Sequence, residues 1–117
     1  MTTTYRRLLL MVKPHPAPPT HPLEQEMHYR VQLAWEIIER SIRSYIKEAF
    51  LEPKMDKQNM TYMVVHVSAP ISTIKQAITN SLADMQLITR PIQDVQYPYT
   101  KYDKPLRALV ISIDTEA

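Results

Sequence analysis

The residues of this chain able to do chemistry are basic and aromatic. Tyr5, Arg6 and Arg7 stand near its start, and no acid occurs before Glu24. Arg43 and Lys47, Lys54 and Lys57, Arg90, and Lys101 with Lys104 follow. Tyr97, Tyr99 and Tyr102 interleave with the last of these. Cations neutralise phosphates and tyrosine rings stack on bases, so these groups are the candidate RNA contacts. Each single one is also what an ordinary solvated surface carries. A second set alternates along one apolar run: Tyr62, Val64 and His66 share a face at a spacing of two. With Tyr97 and Tyr99 they are the candidate partner-binding residues.

Reactive constellations are missing. The 117 residues include no glycine and no cysteine. Zero glycine excludes the usual dinucleotide fingerprint, the P-loop and the nucleophile elbow. Zero cysteine excludes zinc fingers, disulfide scaffolds and thiol nucleophiles. His66 has no identifiable nucleophile to serve. His15, His21 and His28 lie six and seven apart, which matches no zinc spacing. An acylphosphatase-type reaction needs amide donors in a glycine-bearing loop after the first strand, where Lys13-Pro14 removes a donor. The expectation is a protein that is not an enzyme, with no catalytic residue, metal, cofactor or small-molecule substrate.

The elements that must position these groups are legible in the apolar pattern. A net charge of +2 permits an anionic partner without demanding one. No apolar run approaches the roughly 20 residues that span a bilayer, so no membrane partner is expected. The length suits one domain over residues 1–117, with a core at 5–96 and an extension at 97–117. Residues 5–12 are near-continuously apolar and read as a central strand that Lys13-Pro14 stops. The five prolines of residues 13–22 predict an extended, polyproline-like segment, a stiff surface connection or, alternatively, a groove ligand. From Met27 to Ile46 apolar residues recur at three and four, which predicts a helix at least to Arg40. Glu24 and Glu26 would occupy its first turn, and Thr20 or a residue just after Pro22 its cap. Residues 42–52 fit either the end of that helix or an edge strand.

Residues 60–68 read as a strand, with Met63, Val65 and Val67 opposite Tyr62, Val64 and His66. Ser72 or Thr73 would cap a second helix running to about Leu82. Residues 86–92 read as an edge strand because Pro91 lies inside. Residues 97–105 read as a loop and 106–113 as an appended, apolar, strand-like run. The order β, α, β, β, α, β predicts an α+β fold: a ferredoxin-like split β-α-β sandwich with an antiparallel sheet and two helices on one face. The other face would be open unless the last strand folds over it.

The chain then resembles a family. Tyr5 to Pro14 resembles the first strand of bacterial-type small-subunit ribosomal protein six. Tyr62-Met-Val-Val-His-Val-Ser-Ala-Pro70 is similar to its third strand. Ile74 to Ile78, Leu82 and Asp84, then Leu87 to Ile92, follow its second helix and fourth strand. Phe50 to Lys54 faintly echoes the second. Thr89, Arg90 and Asp94 depart from the basic fourth strand of that family. The resemblance implies a divergent mitochondrial member: a structural constituent of the small ribosomal subunit in the matrix, on the platform, contacting small-subunit rRNA and pairing with ribosomal protein eighteen. The alternative is a ferredoxin-like protein–protein module assembled through strand-edge pairing.

Overall fold

The computed structural model describes residues 3–16, 26–50, 52–56, 59–98 and 105–116. Its elements are β1 (Arg6–His15), α1 (Tyr29–Ile42), a short 3-10 turn (Arg43–Tyr45), β2 (Lys54–Met55), β3 (Thr61–Val67), α2 (Ile71–Asp84), β4 (Gln93–Tyr97) and β5 (Leu106–Asp114). The strands form one five-stranded sheet in the order β2-β3-β1-β5-β4. This is the expected α+β, ferredoxin-like arrangement of split β-α-β units, with β2 and β4 at the edges.

Two features correct the expectation. The sheet is mixed, because β5 runs parallel to β1 while every other pairing is antiparallel. And the run expected as an appendage is an interior strand, lying between β1 and β4. Its composition explains the placement: Leu109, Ile111 and Ile113 are fully buried on one side and Ala108 on the other. A strand that is apolar on both sides is most stable away from an edge.

β1 also runs further than expected, through Lys13 and Pro14 to His15. Its pairing with β3 ends at Val12↔Thr61, whereas its pairing with β5 continues to His15↔Asp114. The Thr115 amide donates to the His15 carbonyl, so His15 turns its polar backbone towards β5. By alternation, Pro14 turns its backbone towards the side β3 has vacated, where no ladder donor is required.

α1 starts later than expected. The ring of His28 caps it, its Nδ1 accepting from the Arg30 amide at 3.1 Å, and the first turn holds no acid. Residues 42–50 form the helix end, the 3-10 turn, a single bridge, Ile46↔Val67, and coil, so among the described residues the second strand is Lys54–Met55. Pro70 holds the N-cap position of α2, its carbonyl accepting from Thr73 and Ile74, and neither Ser72 nor Thr73 is the cap. Both helices lie on one face of the sheet. Leu8, Leu10 and Val12 of β1, Val65 and Val67 of β3, and Leu109, Ile111 and Ile113 of β5 pack there against Val31, Trp35 and Ile38 of α1 and Ile74, Ile78 and Leu82 of α2. Trp35 Nε1 donates to Thr61 Oγ1 at 2.8 Å, and Thr61 Oγ1 donates to the Val12 carbonyl at 2.7 Å. This hydroxyl ties α1, β3 and β1 together within the core.

Residues 86–92 are turn, bend and coil, not a strand, and the end of α2 uses the first two of their amides. Gln86 donates to the Ala83 carbonyl and Leu87 to the Leu82 carbonyl. These are the two bonds of a Schellman cap, with Leu82 and Leu87 both fully buried beside it. Gln86 stands at φ 57°, where glycine is usual. Arg30 clamps the turn, its guanidinium donating to the Gln86 carbonyl at 2.8 Å and to the Asp114 carbonyl. Replacing Gln86 with Gly should raise stability by about 1 kcal/mol by relieving the left-handed backbone. Urea unfolding would read this, and an unchanged midpoint would contradict it.

The open face of the sheet

Registers place the residues of the face opposite the helices in rows. One row is apolar across four strands: Val64, Leu9, Ala108 and Val95. The next runs Lys54, Tyr62, Met11, Val110 and Gln93. Beyond the first row, His66 pairs with Arg7 on one side, and Leu106 pairs with Tyr97 on the other. Lys13 pairs with Ser112 past the second row. Leu9 and Ala108 are buried yet stand outside the helix-side core. They form the floor of this face. Around them Val64 is 45 %, Val95 37 % and Tyr97 41 % exposed.

The charge on this face is one-sided. Among the described strand residues, the registers assign it Arg7, Lys13 and Lys54, with His15 and His66. The one acid they assign is Asp114, whose carboxylate accepts from Thr89 and pairs with Arg90 at 3.4 Å. The opposite side of the molecule carries its own acids. A groove beside α1 is lined by Glu36, Glu39 and Glu52 over Trp35 and Phe50, whose rings meet edge-on at 6.0 Å. That groove would repel phosphate.

The structure thus gathers six candidates on one face: Arg7, Lys54, Tyr62, Val64, His66 and Tyr97. Tyr5 precedes β1 and is exposed. Arg6 lies across from Val67, on the helix side. Arg43 is engaged with Glu39 at 3.2 Å. Lys47 is exposed, and its amide donates to the His66 carbonyl at the outer edge of β3. Arg90 is held by Asp114. Lys57, Tyr99, Lys101 and Lys104, with Tyr102, lie outside the described residues.

Lys13, Leu9, Met11 and Val95 belong to the face and were not among the candidates. Three of them were legible in the period-two alternation Arg7, Leu9, Met11, Lys13 once Lys13-Pro14 is read as strand. Arg107, on the helix side, hydrogen-bonds Asp94 through Nε at 3.1 Å and through Nη2. That hydrogen bond, and then the carboxylate's charge, hold the guanidinium above its ordinary pKa.

Comparison with protein-family models, with curated proteins and with solved structures returns no match.

Proposed function

We propose that this chain is a non-catalytic RNA-binding domain that receives single-stranded RNA on its open sheet face. The carrying observation is the composition of that face: an apolar floor between two tyrosines, bordered by Arg7, Lys13 and Lys54. Rings on a sheet stack unpaired bases, cations beside them track phosphates, and neither requires sequence-specific polar groups. A sheet face with exposed apolar rows is also a normal mark of a macromolecular partner.

The narrower form of this reading is a constituent of the small ribosomal subunit, mitochondrial, beside rRNA and ribosomal protein eighteen. It rests on the resemblance of residues 5–12 and 45–93. The interior strand β5 goes beyond the four-stranded core that this resemblance implies. Purification of tagged protein with and without RNase separates the two: a ribosomal protein co-purifies with small-subunit rRNA and its neighbours, and a protein found only in the free pool contradicts that form.

The general reading is tested by fluorescence anisotropy on short single-stranded RNA. Tyr62→Ala should weaken binding by about tenfold or more, since a base–ring stack contributes about 1–3 kcal/mol. Lys13→Glu should weaken it and flatten the dependence on salt. Loss through Arg43→Glu and Lys47→Glu, with the face variants silent, would move the site to the end of α1 and the edge of β3 and overturn the proposal.

A further inference from the structure

We infer that the outer edge of β4 is a self-association site, at which two copies of this chain pair antiparallel about a two-fold axis through Val95.

The two edges of the sheet differ. At one, β2 has only two residues, includes the exposed Lys54, and leaves the rest of β3 to a single bridge. A short, charged, interrupted edge is the usual protection against pairing. At the other edge, β4 runs for five residues, all exposed, in unbroken register with β5. It contains no proline, no lysine and no bulge, and its one charged residue, Asp94, is paired with Arg107.

The backbone direction follows from neighbouring bonds. The Thr115 amide turns towards β1 to reach His15, while the Asp114 amide turns away to reach Leu87. By alternation Val110, Ala108 and Leu106 face β4, so their partners Gln93, Val95 and Tyr97 spend their polar groups on β5. The N–H and C=O groups of Asp94 and Gln96 therefore point outwards.

A two-fold axis at Val95 matches these groups. Asp94 faces Gln96 of the second copy in a hydrogen-bonded pair, and the reverse pair follows by symmetry. The carboxylate meets a side-chain amide rather than a second acid, and its charge is already balanced by Arg107. Val95 meets Val95 of the second copy at the closer, non-hydrogen-bonded position. The apolar row of the open face then continues across the axis into the second sheet. An edge this short makes a small interface, so the dimer forms reversibly and depends on concentration. Nothing in this pairing requires a ligand on the open face.

Light scattering after size exclusion and sedimentation equilibrium test it. The native chain should pass from 13.7 kDa towards twice that mass as its concentration rises through the micromolar range. Val95→Lys sets like charges opposite one another and should leave a folded monomer. Gln96→Pro removes an outward donor without touching the bonds to β5 and should do the same. Val95→Ile should keep the dimer, and circular dichroism confirms that each variant is folded. A native chain that stays monomeric at high concentration overturns the inference. So does a dimer that survives both blocking variants, because its interface would lie elsewhere.

Discussion

Leu109→Ala should lower the stability of this protein by about 3 kcal/mol, within the 2–5 kcal/mol that buried leucines typically cost. Leu109 is fully buried in the middle of β5, with Leu10 beside it on β1 and Asp94 beside it on β4. Truncation removes the packing of the side chain and leaves a cavity between the sheet and the helices, where the close-packed core closes on it only in part. The loss is a large share of the roughly 5–15 kcal/mol available to a small domain. Val95→Ala, on the exposed edge, should change stability by less than about 0.5 kcal/mol. Urea unfolding of the two variants side by side tests the position of β5. An appended strand would give two similar, small effects, whereas an interior strand separates them.

Thr61→Val should cost about 2 kcal/mol although the two side chains have nearly the same shape. The hydroxyl accepts from Trp35 and donates to Val12, and its residue is fully buried. Valine strands the indole N–H in an apolar core, and an unsatisfied buried donor costs about 1–3 kcal/mol. Thr61→Ser should keep the network and cost less. Combining Thr61→Val with Trp35→Phe removes the orphaned donor, so the double variant should be more stable than the sum of the singles predicts. Strict additivity would show that the bond contributes nothing.

Much of the fold was legible because the apolar periods were clean. Val65 and Val67 faced the core and Val64 and His66 faced out, as alternation requires. Ile71, Ile74, Ile78 and Leu82 formed the buried stripe of α2. The failures occurred where a local signal met a tertiary one. Pro14 read as a stop because proline lacks a donor, yet it sits where the neighbouring strand has ended. Leu87 and Ile92 read as strand because they are apolar, but they are buried as coil after a helix cap. β5 read as an appendage because it came last, although its apolar character on both sides already argued for the interior. Of the candidate site, the alternation along residues 62–66 was readable. The contribution of Lys13 depended on β1 running past Lys13-Pro14, and the placing of Tyr62 and Tyr97 on one face depended on the strand order, with β1 and β5 between theirs.

The absence of glycine has a structural counterpart. Asn59, at φ 61°, and Gln86 take left-handed positions that glycine usually fills. The Asp56 carboxylate steadies the first of these turns by accepting from the Met60 amide at 3.0 Å.

RNA bound as proposed lies on the open sheet face. Titrating isotopically labelled protein with single-stranded RNA, while following backbone and side-chain resonances, tests it most directly. The account predicts shifts at Arg7, Leu9, Met11, Lys13, Tyr62, Val64, Val95 and Tyr97, with α1 and α2 unmoved. Shifts concentrated on the helices, or none at all, would contradict it.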